Sequence, residues 1–157
     1  MREKILKNSM KHNQQDKVYE EIKHEEKLIA IILRSNYTSD NVVFFTPQDF
    51  SQQLGFLPHK KGGILKAHLH NKVNREITLT QEVLFIRKGT VRVNFYTEDK
   101  EYITSRELNT GDTILLCSGG HGFNILEDTE MIEVKQGPHL GDGDKERFEG
   151  VENDSCK

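Results

Sequence analysis

From Leu28 to Gln136 the chain alternates between short apolar runs and turn signals, and this rhythm constrains the fold more than any other feature. The runs are LIAIIL, VVFFT, ILKAHLH, EITLTQEVLFIRK, TVRVNFY, DTILLC, FNILE and MIEVKQ. Short runs rich in Val, Ile, Leu and Phe, several of them alternating apolar with polar, suit an extended backbone whose side chains point to opposite faces in turn. Between them stand Lys88-Gly89, Thr97-Glu98-Asp99-Lys100, Asn109-Thr110-Gly111-Asp112 and Ser118-Gly119-Gly120, whose residue types favour tight turns. Connections this short join antiparallel strands, so the expectation is an all-β barrel or sandwich. One segment, TPQDFSQQLGFL, reads differently. Thr46 as N-cap, Pro47 at the first helical position and Gly55 as terminator predict a single short helix or 3₁₀ turn packed beside the sheet.

At 157 residues the chain has the size of one domain. Residues 1–27 are rich in Lys, Glu, Gln and Asn, with only a thin apolar stripe at Val18, Ile22 and Leu28. They read as a polar N-terminal extension, partly ordered, ahead of a barrel over 28–140 and a Gly/Asp/Glu/Lys-rich surface tail over 141–157. A net charge of −3 gives no field to attract nucleic acid or an anionic membrane. No apolar stretch follows the basic start, and none is long enough to span a bilayer, so neither secretion nor a membrane segment is expected. Cys117 and Cys156 are the only cysteines, too few and too far apart for a disulfide framework or a paired thiol site, which suits a reducing, cytoplasmic setting.

The candidate chemistry begins in GGILKAHLHN. On a strand, His68 and His70 project from one side with Ile64 and Lys66, while Leu65, Ala67 and Leu69 face the other way. Two imidazoles on one face can converge on one ion; a solvated pair is the alternative. Glu82 opens the apolar strand EVLFIRK with the parity of Leu84 and Ile86, a buried side, and a buried carboxylate needs a partner or a metal. His121 follows a Gly-Gly turn at the start of another apolar run. Three neutral imidazoles and one carboxylate form a mixed N/O set suited to one divalent Fe, Mn, Ni or Zn ion, with positions left for water or substrate.

These residues resemble the motifs of the cupin superfamily. The first motif is matched by Gly62, five residues, His68-Leu69-His70, then Glu82, six residues and Gly89. Gly111, Gly119, His121 and Asn124 take the places of the second. The resemblance covers roughly residues 60–137 and implies a double-stranded β-helix (jelly-roll) barrel, often dimeric, with His68, His70, Glu82 and His121 as metal ligands. Two features depart from the pattern. The gap between His70 and Glu82 is 11 residues where three or four are usual, and Cys117 replaces the second motif's Pro, one residue closer to His121. The long gap makes Glu76 a rival ligand, since it shares the face of Glu82 on an unbroken strand. Glu82 is preferred because it keeps the six-residue spacing to Gly89. Cys117 reads as a small buried side chain, with a thiolate near the metal as the other possibility.

The function implied by the resemblance is that of a metal-dependent enzyme acting on a small polar substrate such as a sugar derivative or hydroxy acid, of isomerase, epimerase or lyase type. Lys66 would steady an anionic group and Glu76 would move a proton. An Fe(II)-dependent dioxygenase and a non-catalytic, metal-dependent binding module are the alternatives. The segments TQEVLFIRKG, SGGHGF and EVKQGP are similar to those of small bacterial cupins associated with surface-polysaccharide or nucleotide-sugar functions. A homodimer is expected because the outward row Val83 and Phe85 needs cover, either from LIAIIL and VVFFT or from a second subunit. His12, His24, His59 and His139 sit in polar surroundings, and GDGD lacks the full spaced set of a calcium loop.

Overall fold

Within residues 17–152, which the computed structural model describes, the apolar runs form antiparallel strands and almost no helix. The strands are β1 (Tyr19–His24), β2 (Lys27–Leu33), β3 (Val43–Phe44), β4 (Gly55–Phe56), β5 (Glu82–Lys88), β6 (Thr90–Tyr96), β7 (Tyr102–Asn109), β8 (Thr113–Leu116), β9 (Gly120–Ile125) and β10 (Glu130–Lys135). One 3₁₀ turn, Gly141–Asp144, follows. A five-stranded sheet runs β1-β2-β8-β5-β10, a three-stranded sheet runs β7-β6-β9, and β3 pairs with β4 alone. The two larger sheets lie face to face without closing into a barrel.

Burial explains the order of strands. Ala30, Ile32, Leu84, Ile86, Ile114 and Leu116 from the larger sheet meet Val91, Val93, Phe95 and Leu108 from the smaller one in a single apolar cluster. Each of these side chains larger than Ala30 stabilises the fold by about 1.5–3 kcal/mol on burial. LIAIIL reads as continuously apolar because β2 is covered on both faces. Ile31, with Leu115 and Cys117, points to the outer side, where Tyr19, Phe45, Phe50, Leu54 and Val83 pack. Tyr19 stacks on Phe45 with ring centroids 5.0 Å apart, and Tyr37 stands edge-on to Phe45 at 5.2 Å. So Val83 is covered from its own chain, through the VVFFT region, whereas Phe85 stays exposed. LIAIIL does not cover that row; it forms an inner strand of the sheet itself.

A charged pair ties the two sheets along one side. Glu20 on β1 and Arg106 on β7 form a two-pronged pair, Nε to Oε1 at 2.9 Å and Nη2 to Oε1 at 2.7 Å, joining the edge strands there. On the opposite side β10 and β9 are the edge strands among the described residues.

Several expectations change. Of the two forms expected for TPQDFSQQLGFL the segment takes the turn and no helix, closed by Phe50 N–H donating to the Pro47 carbonyl at 3.2 Å, and its apolar Phe50 and Leu54 pack onto the outer sheet face. Tyr19–His24, placed in the polar extension, is a full strand: Ile22 enters the core, and the positive φ of Glu25 makes the turn into β2. Residues 1–16, including His12, lie outside the described residues, as do 153–157 with Cys156. Tyr102–Asn109 forms a strand although only Leu108 in it is fully buried, which is why its apolar signal is weak.

The largest difference concerns ILKAHLH and EITLT, which belong to no strand. Every residue from His59 to Thr80 is exposed. Hydrogen bonds from this arm are local among the described residues: Gly63 N–H to the Lys60 carbonyl at 3.0 Å, and a His68 ring nitrogen against the Lys66 carbonyl at 3.1 Å. Alternation suits a strand, but a strand needs a neighbouring backbone, and the arm has none among the described residues.

Candidate functional site

Glu82 is the first residue of β5 and shares the inward parity of Leu84 and Ile86, as its spacing predicts. Only 6 % of it is exposed, so its charge requires partners. His121 supplies one from the opposite sheet. On β9 it lies across from Phe95, and that register turns its ring inward. His121 Nε2 stands 3.2 Å from Glu82 Oε2, while Lys135 Nζ and Lys145 Nζ each lie 3.7 Å from Oε1. The imidazole hydrogen bond holds the Glu82 carboxyl down at about 2 against the opposing effect of burial, helped by the charges of His121, Lys145 and Lys135. The carboxylate is thus ionised across the physiological range.

The pair opens into a cavity of about 170 Å³, lined by Thr80, Leu116, Ser118, Gly119, Asp144 and Lys145 besides Glu82 and His121. That is several times the space one water takes. The turn that aims His121 depends on Gly119. Its φ is +71°, and a Cβ there would stand 2.4 Å from the Tyr96 carbonyl oxygen. Phe123 packs into the core and its ring lies 5.5 Å from that of His121, so it holds the imidazole from behind.

Of the four residues the cupin resemblance points to as ligands, the structure brings together two, Glu82 and His121. His68 and His70 lie on the exposed arm with ring centroids 5.1 Å apart, near each other and apart from the pocket. Lys66 and Glu76 are exposed on the same arm and do not line the cavity either. Among the described residues no group of three or more His, Cys, Asp or Glu side chains gathers as a ligand cluster. Cys117 is buried, its Sγ 3.7 Å from the Leu115 carbonyl, and burial pushes its thiol up to about 12, so it is no thiolate.

The sequence reading missed Asp144, Lys135 and Lys145. The segment after β10, expected as a surface tail, brings Asp144 and Lys145 to the cavity and then lies on the outer face of the smaller sheet. There Glu152 Oε1 accepts from Tyr96 Oη at 2.7 Å and from Asn94 Nδ2 at 2.9 Å, and the Phe148 ring stands edge-on to Tyr96 at 5.1 Å. Gly120 and Gly122 face Phe148 and Glu152, so a side chain at either position would meet this segment. Asn94, buried in the middle of β6, was the available signal, since a buried amide requires polar partners from somewhere.

No family model, no curated protein and no solved structure matches this chain. No helix among the described residues is long and apolar enough to cross a membrane.

Proposed function

We propose that the Glu82–His121 pocket is half of a divalent-metal site in a cupin-like protein that acts on a small polar, anionic substrate, as an isomerase, epimerase or lyase. The observation that carries this reading is the 3.2 Å separation of His121 Nε2 and Glu82 Oε2 across the gap between sheets. Two ligand atoms roughly 2.1 Å from one ion and at right angles stand about 3 Å apart, so the pair has the spacing of adjacent corners of a coordination shell. The donors fit Fe, Mn, Ni or Zn, and His68 and His70 are the residues of the right kind to complete the set.

A metal held there would polarise a carbonyl or hydroxyl of the substrate. The chain's own groups supply the rest. Lys145, half exposed at the cavity wall, places an ammonium where a carboxylate or phosphate group would enter. Ser118 and Thr80 line the same wall and can orient hydroxyls. Leu116 keeps one side apolar and limits water. Elemental analysis of protein purified without a histidine tag tests the reading, with Glu82→Gln and His121→Ala as comparison. We expect roughly one ion per chain in the wild type and strong loss in both variants. Equal metal content in all three proteins would refute it.

A second reading has its own support. Lys135 and Lys145 already compensate the charge of Glu82, so the pocket is electrostatically complete without an ion and suits a small-anion binding module. Calorimetric titration of chelator-treated protein with citrate separates the two. Binding that survives metal removal and is lost in Lys145→Ala favours the module.

A further inference from the structure

The two facing sheets are unequal, and the missing material lies on one side. The larger sheet ends at β10, whereas the smaller ends one position earlier, at β9. Met131 and Glu133 on β10 have the inward parity of their partners Ile86 and Leu84, yet both are exposed, because among the described residues no strand stands opposite them. The vacant position, beside β9, adjoins the strand that carries His121. Meanwhile the arm, His59–Thr80, carries six large apolar side chains in the open: Ile64, Leu65, Leu69, Val73, Ile77 and Leu79. Leu69 is 95 % exposed, so the arm does not fill the vacancy in its own chain.

We propose that residues 64–71 of one chain add as a strand to the free edge of β9 in a second copy, reciprocally, so that each pocket receives His68 and His70 from the other copy. Edge addition satisfies the unpaired backbone of both partners, and exchange of an identical element closes a two-fold dimer with no new surface required. Charge agrees with this occupant. The arm carries Lys60, Lys61, Lys66, Lys72 and Arg75 against Glu76 alone, and the β9–β10 turn and strand carry Glu127, Asp128, Glu130 and Glu133 against Lys135. The parity that groups His68 with His70 brings both to the same face of the added strand, which can be the face His121 occupies. The role of the two histidines rests on the metal reading; the exchange does not.

The test mixes two full-length chains in a Cys156→Ser background, one with Lys66→Cys, on the face of His68 and His70, and one with Ile125→Cys, on the face of His121. Both positions are exposed, so the chains should fold as the wild type does. A short bis-maleimide is expected to give a covalent dimer of the two different chains, and light scattering of the wild type a dimeric mass. In Leu65→Asp, Leu69→Asp the mass should fall to that of a monomer with an unchanged circular dichroism spectrum. A monomeric wild type, or no cross-link between the two different chains, would overturn the exchange. Zn²⁺ uptake by the wild type keeps the two ideas apart. A cross-linked dimer that takes up no Zn²⁺ ends the metal reading alone, and a monomer that binds Zn²⁺ ends the exchange alone.

Discussion

His121 Nε2 and Glu82 Oε2 meet at 3.2 Å between the two sheets, so an imidazole from β9 holds a carboxylate that β5 has carried out of water. The contact joins strands that share no backbone hydrogen bonds. It also fixes how the fold responds to acid.

Glu82 should shape the acid limb of stability. Its folded-state carboxyl lies at about 2 against an ordinary 4.5, so its contribution is complete above that ordinary value and is lost as pH falls from there through 2. The size is at most about 3 kcal/mol. Urea unfolding of the wild type and Glu82→Gln should show a gap that is widest near neutrality and closes toward pH 2. A gap independent of pH would show that the pairing is not electrostatic.

Asp112 should be among the most sensitive polar positions. It is 3 % exposed; its Oδ2 accepts from Arg34 Nη1 and from Asn109 N–H, both at 2.9 Å, and its Oδ1 accepts from Ser35 N–H at 2.9 Å. One side chain therefore fastens the end of β2 to the β7–β8 turn. Asp112→Ala strands a guanidinium and two amides, a cost of about 3 kcal/mol. At this chain length that is a fall of roughly 10 °C in Tm, measured by circular dichroism melting. Asp112→Asn, which keeps an acceptor, should lose less.

At alkaline pH the relevant group is Tyr96. Burial first, and then its hydrogen bond to Glu152, push the phenol up to about 12. A folded-state value above the ordinary 10 means that the contribution is complete below 10 and disappears as pH rises through 12. Tyr96→Phe should cost about 1–2 kcal/mol at neutral pH, through the loss of bonds to Glu152 and Val151 N–H, and progressively less between pH 10 and 12. The same change should speed proteolysis after residue 140 at neutral pH, because those bonds hold the C-terminal segment down. Equal cleavage rates would count against that anchoring role.

What the sequence disclosed follows from how local each determinant is. β2, β5, β6 and β8 were legible because each buries an apolar run, β10 because its residues suit a strand although they stay exposed, and Glu82 because its parity with Leu84 and Ile86 is a local property. β1 was hidden since only Ile22 within it is fully buried, and β7 because its outer residues face polar partners. Lys145 and Asp144 could not be read from position, as they reach the cavity only through the path of the C-terminal segment. The reverse holds for His68 and His70. Their spacing allows convergence, but convergence needs a neighbouring strand, and no pattern within the arm says which backbone provides it.

Gly119 gives the sharpest test of how the fold aims His121. At φ +71° an L-residue is strained, and a Cβ there would meet the Tyr96 carbonyl oxygen at 2.4 Å, an atom fixed in β6 that cannot move aside. Gly119→Ala should therefore cost about 3 kcal/mol and shift the start of β9. Gly122→Ala is the comparison. Its φ is not positive, and the new methyl would meet the Glu152 carboxylate, the free end of a side chain that can swing away. It should loosen the C-terminal segment and leave the imidazole in place. In spectra of histidine-labelled protein, the His121 ring resonances should move in Gly119→Ala and stay near their wild-type positions in Gly122→Ala. Matching shifts in the two variants would mean that His121 is placed by the outer packing of Phe148 and Glu152 instead of by the turn.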